Sequence, residues 1–147
     1  MVCLSRELSL SEIRDLGSDG DEDLYAVFYG RVPYMITEQC PRKEAYGCLH
    51  KSGGYELIDR RGEKIKGISN CLLCYNRLYS EKAVLIPELT PALFKAKTGI
   101  RPRLEFVFES AQEVREMLQV LAGGAKELSD PKLTAKTMEG NFRKGVM

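Results

Sequence analysis

The chain has a single histidine, His50. It has no His-Glu-x-x-His zinc motif, and no Ser–His–Asp or Cys–His set can be argued from it. A glycine-rich phosphate loop is absent as well, so the sequence shows no recognisable hydrolytic machinery. No apolar run approaches the roughly 20 residues that span a bilayer. The start, Met1 to Arg6, carries no basic stretch followed by an apolar one, and no secretory signal is expected there. These absences predict a cytoplasmic protein with no membrane partner. A strong charge bias is missing too: the net charge over 147 residues is +1. A dedicated nucleic-acid-binding domain usually carries a clear excess of Lys and Arg. A local basic patch would still leave RNA open as a substrate.

What is present is ordinary for a globular domain, with 44% apolar and 29% charged residues, enough for one core. Five cysteines without an export signal point towards metal or redox chemistry and away from disulfides.

Both ends of the chain read as strand–helix units. Met1-Val2-Cys3-Leu4 is short and apolar, as a buried parallel strand would be, which makes Cys3 a packed core thiol. Ser9-Leu10-Ser11-Glu12 is a capping box. Leu10, Ile13 and Leu16 follow at helical spacing, and Gly17 ends the run. Asp19 to Asp23 reads as an acidic loop, and Leu24 to Tyr29 as a strand. Towards the far end, Leu104 to Phe108 reads as a strand and Ser110-Ala111-Gln112-Glu113 as a second capping box. Val114, Met117, Leu118 and Leu121 form one helical face, stopped by Gly123-Gly124. Strand–helix pairs of this kind suggest βα units of a parallel sheet or barrel. Between them, Tyr55 to Ile58 and Glu63 to Lys66 flank Asp59-Arg60-Arg61-Gly62, a hairpin turn. Thr90-Pro91 opens a short helix that closes near Gly99. The segment after Gly124 is polar and lacks periodicity.

The middle of the chain carries Cys40, Cys48, Cys71 and Cys74. Cys71-x-x-Cys74 can present two sulfurs to one metal, because the intervening backbone turns. The Cys40–Cys48 pair, brought up by a loop, would complete a tetrahedral set of four thiolates. Spacing alone leaves zinc and an iron–sulfur cluster equally open. His50 reads as a surface residue or as a neighbour of the ligands.

Tyr29-Gly30-Arg31-Val32-Pro33-Tyr34-Met35-Ile36-Thr37-Glu38-Gln39-Cys40-Pro41 resembles the "G-R-x-P-x-M-x-T-x-x-C-P" segment of the collagenase-like peptidase family U-32. Leu4 to Ile13 is similar to its "S-x-E-L-S-L-x-E-I" stretch, and Tyr55 to Gly62 to its "Y-x-L-x-D-R-K-G" hairpin. Leu104 to Ser110 looks like a late barrel strand of the family. Gly140 to Val146 resembles its "G-x-x-x-R-G-V" end, with Lys144 as an extra residue. The resemblance implies an α/β fold: a partial (β/α) TIM-type barrel, made of its last βα units, with a Cys-rich β-hairpin insertion. It divides the single domain 1–147 into barrel units at 1–30 and 100–123, the insertion at 31–80 and a C-terminal tail at 124–147.

Members of that family carry the name of peptidases, while several relatives act in hydroxylation of tRNA, ribosomal RNA or ubiquinone precursors. In those relatives four cysteines hold a [4Fe–4S] cluster. The resemblance therefore favours that cluster over zinc, with Cys40, Cys48, Cys71 and Cys74 as ligands. Cys40 and Cys48 fall on the first two family cysteines and Cys74 on the last. The family often has its third cysteine where Lys51 stands here. A second polypeptide supplying the upstream barrel strands is implied as a partner, and RNA or a peptide as substrate. The alternative is a small zinc-stabilised structural or interaction module without catalysis.

Barrel strands carry active sites at their C-terminal ends. Arg31, Arg6 and Glu109 are on that ground the candidate substrate-binding residues, Arg31 as a bidentate partner for a carboxylate or phosphate. Around the cysteines, Arg42, Lys43, Lys51, Arg60, Arg61, Lys64 and Lys66 outnumber Glu44, Glu56, Asp59 and Glu63. This excess is read as offsetting the charge of a thiolate-held cluster or as a solvated face. Tyr46, Tyr75 and Tyr79 are expected to shield the site.

Overall fold

The computed structural model describes residues 2–18, 23–48, 50–85, 91–122 and 137–138. Among them the chain is mixed α/β, with seven strands and four helices. None of these helices is long and apolar enough to cross a membrane. The chain divides into two compact units, one drawn from Met1–Gly30 and Lys82–Met147, the other Arg31–Glu81.

In the first unit, β1 (Val2–Cys3), α1 (Leu10–Gly17) and the opening of β2 (Leu24–Thr37) form a strand–helix–strand, with β1 parallel to β2 and Val2 opposite Leu24. β6 (Arg101–Leu104) also runs parallel to β2, with Tyr25 opposite Arg101. Both partners meet Tyr25, so they occupy opposite edges of β2. A strand flanked on both edges and covered on its faces needs an unbroken apolar run. Ala26, Val27, Phe28 and Tyr29 supply it, all buried. The register shifts between Val27 and Tyr29, a bulge that lets Phe28 drop into the core.

Phe28 meets Phe94 of α3 (Pro91–Thr98) edge to face, ring centroids 5.3 Å apart, and both are fully buried. Ile13 of α1, Ile100 and Leu121 of α4 (Ala111–Ala122) complete this core. α1 and α3 touch backbone to backbone at Gly17: a Cβ there would lie 1.8 Å from the Thr98 carbonyl oxygen. β5 (Tyr75–Val84) ends in this unit, where Ala83 and Val84 pair in parallel with β7 (Thr137–Met138).

Both capping boxes form. The Ser9 N–H donates to Glu12 Oε2 at 2.7 Å, and the Glu12 N–H to Ser9 Oγ at 3.4 Å. At α4 the Ser110 N–H donates to Glu113 Oε2 at 2.8 Å, and the Glu113 N–H to Ser110 Oγ at 3.3 Å. Ser9→Ala should cost about 1 kcal/mol, read by urea denaturation. The backbone hydrogen bond from Ser9, and then the one from its hydroxyl, hold the Glu12 carboxyl below its ordinary value of 4.5. A carboxylate depressed in the folded state stabilises it above the unfolded value, and that help is lost as pH falls through the folded value. Below pH 4.5 the thermal midpoint should therefore fall less for Glu12→Gln than for the wild-type protein.

The second unit holds the rest of β2, α2 (Pro41–Tyr46), β3 (Gly53–Ile58), β4 (Lys64–Asn70) and β5 up to Glu81, with strand order β2-β5-β4-β3. In it β3, β4 and β5 pair antiparallel. The Asp59–Gly62 turn joins β3 to β4. Asp59 Oδ1 accepts from the N–H groups of Arg61 (2.7 Å) and Glu63 (2.8 Å), and Gly62 takes the left-handed φ of +82°.

Two expectations are corrected. Cys3 is exposed, because β1 has β2 beside it but no cover on its faces among the described residues. The late strand is Arg101–Leu104, not Leu104–Phe108. The Glu109 carboxylate accepts from the N–H groups of Val107 (2.8 Å) and Phe108 (3.1 Å), giving those donors a partner outside any sheet. Residues 19–22 of the expected loop Asp19–Asp23, the helix stop at Gly123-Gly124 and the Gly140–Val146 likeness lie outside the described residues, as does Thr90. Of the tail 124–147, only Thr137–Met138 is described.

Candidate metal centre

The four candidate ligands all belong to the second unit. Cys40 is the N-cap of α2, and Pro41 follows at the first helical position, where a missing N–H costs nothing. The helix lasts six residues and stops at Gly47, whose φ of +77° suits glycine. Cys48 comes next, so the Cys40–Cys48 spacing is one short helix. Cys71 and Cys74 open and close the loop that joins β4 to β5, where Asn70 pairs with Tyr75. Asn70 Oδ1 accepts the Leu73 N–H at 3.0 Å and shapes the loop, and Cys74 closes it at φ +50°.

Cys40, Cys48 and Cys71 line one pocket, together with Arg42, Lys43, Gly47, Lys51 and Ser69. It measures about 220 Å³ counted to its open mouth. Cys40 and Cys71 are half-buried and Cys48 is exposed. Cys74 stands just outside, its thiol directed at the Cys71 carbonyl oxygen, 3.8 Å away. Among the described residues no three His, Cys, Asp or Glu side chains are gathered closely enough to hold one ion.

Backbone at or beside Cys40 and Cys71 is held by hydrogen bonds. Asn76, buried in β5, donates to the Gln39 carbonyl at 3.2 Å, next to Cys40, and accepts from the Tyr55 hydroxyl at 3.2 Å. The segment after Cys48 is tied once to α2, once to β4 and once to the loop after β4. Arg42 Nη1 donates to the Lys51 carbonyl (3.2 Å), Ser69 Oγ to the Gly53 carbonyl (3.1 Å), and the Cys71 N–H to Ser52 Oγ (2.9 Å). Burial pushes the Tyr55 phenol up, the neighbouring Cys40 pushes it further, and Arg42 opposes both. Tyr55 thus lies within the electrostatic field of the pocket.

The Tyr55 ring lies across Gly67, where an added Cβ would meet ring carbon at 2.2 Å. Gly67→Ala should displace the ring and break its bond to Asn76, at about 1–3 kcal/mol by denaturation. It should also speed alkylation of Cys40, whose neighbour Gln39 that network holds.

The other candidates fall elsewhere. Arg31 Nη1 donates to the Ser80 carbonyl at 3.2 Å, on the strand beside it. Arg6 is ion-paired to Glu105, which also takes Arg103 at 3.0 Å. Glu109 accepts the two backbone N–H groups already described and faces the Tyr29 hydroxyl at 3.5 Å. Arg6 and Glu109 belong to the first unit and Arg31 to the second. His50 is exposed at φ +48° and is not among the pocket residues. Tyr46, Tyr75 and Tyr79 do not line the pocket, contrary to expectation. Tyr46 is 78% exposed, and strand register sets Tyr75 and Tyr79 on the sheet face opposite Ser69 and Asn76. Tyr55 lies on the same sheet face as Ser69, which does line the pocket. The hairpin register could have shown this, since Tyr55 shares its face with Gly53, Ser69 and Asn76.

No protein-family model, no curated protein and no solved structure matches the chain.

Proposed function

We propose that this chain is the C-terminal part of a barrel protein of the collagenase-like peptidase family U-32. In this reading Cys40, Cys48, Cys71 and Cys74 hold a [4Fe–4S] cluster, and zinc in a structural module is the alternative. The observation that carries it is the shared pocket. Three cysteines, separated in sequence by a helix and a hairpin, line it together with Arg42, Lys43 and Lys51. Four thiolates around a cluster leave it dianionic, and a cationic lining suits that charge. Lys51, at the spot where the family often has its third cysteine, lines the same pocket.

When bound, such a cluster supplies one-electron chemistry. The chain's own residues tie down backbone at or near Cys40 and Cys71, through Arg42, Ser52, Ser69 and the Tyr55–Asn76 pair. Arg31, Arg6 and Glu109 are the proposed contacts to an RNA or peptide substrate, and hydroxylation is the activity favoured over peptide cleavage. Support for the partial barrel comes from β1 and β6, both parallel to β2, with α1 joining β1 to β2 and α3 preceding β6. Three such strands cannot close a barrel, so a second polypeptide is proposed to supply the rest.

Anaerobic reconstitution with ferrous iron and sulfide tests the reading. A brown protein with visible charge-transfer absorption and about four irons per chain is expected. A colourless protein holding one zinc per chain would replace the cluster with the structural alternative.

A further inference from the structure

We propose that the cysteine pocket is a thiol-modification site selective for small anionic disulfides, with Cys48 as the point of attachment. The inference concerns the chain with its thiols free and does not rest on the cluster reading above.

The charge of the pocket is one-sided. Arg42, Lys43 and Lys51 line it, and no Asp or Glu is among the lining residues. Among the described residues none of these three cations is paired with a carboxylate. Arg42 is half-buried and held in place, since its Nη1 donates to the Lys51 carbonyl at 3.2 Å and to Ser69 Oγ at 3.4 Å. Its other N–H groups have no protein acceptor among the described residues, and a planar guanidinium fork suits a carboxylate. Lys43 and Lys51 are exposed and add their charges to the same lining. At about 220 Å³ counted to its open mouth, the pocket is smaller than the roughly 300–1,000 Å³ that encloses a drug-sized ligand. It therefore seats the charged end of a small molecule and leaves the remainder in solvent.

Three thiols share that lining, and they differ in access. Cys40 and Cys71 are half-buried, while Cys48 is exposed. The chain just ahead of Cys48 stands clear, since a Cβ added at Gly47 would meet nothing within 4 Å. A disulfide whose carboxylates are drawn to the three cations is therefore brought to Cys48 first. The step is thiol–disulfide exchange. The Cys48 thiolate attacks one sulfur of the reagent, a new S–S bond forms as the old one breaks, and the other half leaves as a thiolate that takes up the proton Cys48 released. Cys48 is oxidised and the departing half is reduced, so the disulfide itself is the only oxidant. A surface of one sign raises encounter rates with molecules of the other by about 10–10³, an advantage that salt removes. Cys48 is thus selective by the charge of the reagent that reaches it.

The test uses the full reduced chain and three disulfides of different charge: glutathione disulfide (net negative), hydroxyethyl disulfide (neutral) and cystamine (net positive). Early rates of mixed-disulfide formation at each cysteine are read by peptide mass spectrometry. At low salt the Cys48 rate, taken relative to the neutral reagent, should be about 10-fold higher with glutathione disulfide than with cystamine. High salt, which cuts the Debye length to about 3 Å, should bring the two together. In the double variant Lys43→Gln, Lys51→Gln the preference at Cys48 should narrow, while Cys3, exposed in the first unit, keeps the preference it has in wild type. Both lysines are exposed, so the variant is expected to keep its fold, checked by far-UV circular dichroism. Equal relative rates with the two charged reagents at low salt, a preference for cystamine, or no labelling of Cys48 by any of the three would overturn the proposal. A preference unchanged in the folded double variant would overturn its assignment to these cations. Should that variant fail to fold, the salt series on wild type decides: a preference that persists at high salt overturns the proposal.

Discussion

Cys71→Ser is expected to strip the reconstituted chain of nearly all its iron. Serine offers a hard hydroxyl that stays protonated near neutral pH, where iron and zinc sites of this kind select soft thiolate. The loss should exceed the 10–100-fold that removal of an outer-shell partner costs in metal affinity. Cys71 is a demanding position because it is half-buried in the pocket lining, and its N–H is bonded to Ser52 Oγ at 2.9 Å. Its backbone is anchored, so a neighbouring residue cannot easily take its place. Cys40→Ser should behave alike. Cys3→Ser is the matched control, since Cys3 is exposed on β1 in the first unit, and it should retain the wild-type iron content. Iron per chain and visible absorbance after anaerobic reconstitution decide the matter.

Phe28→Ala should be the most damaging single truncation in the first unit, costing about 3–5 kcal/mol. Phe28 is fully buried, and its edge-to-face contact with Phe94 adds to the area it removes from water. The bulge in β2 that delivers this ring also limits how far the backbone can collapse into the space left behind. Tyr34→Ser, on the same strand but at a residue 58% exposed, should change stability by no more than about 0.5 kcal/mol. Urea denaturation followed by far-UV circular dichroism measures both. A Phe28→Ala cost below about 1 kcal/mol would mean that this ring is not central to the core.

What could be read from the sequence was local. The two capping boxes, the Asp59–Gly62 turn and the stop of α3 at Gly99 are each set by a few neighbouring residues. Hydroxyl, carboxylate and left-handed glycine sites reveal themselves over such short spans. What could not be read depends on distant partners. The strand expected at Leu104–Phe108 lies instead at Arg101–Leu104, where β2 pairs with it. Glu105 to Phe108 looks like a strand, yet Glu109 takes its backbone donors. Cys3 sits in an apolar sequence but on a strand without cover among the described residues. At the candidate site, the spacing of the cysteines suggested a common centre, and three of them do line one pocket. The residues holding them in place were not apparent. Arg42, Ser52, Ser69 and Asn76 are ordinary polar residues until strand register brings them together behind the sulfurs.

The most direct test of the central claim is alkylation footprinting of the five thiols by mass spectrometry, before and after anaerobic loading with iron and sulfide. Loading should protect Cys40, Cys48, Cys71 and Cys74 together while Cys3 stays fully reactive. If any one of Cys40, Cys48 or Cys71 remains as reactive as Cys3 in the loaded protein, these sulfurs do not share a centre, and the account fails.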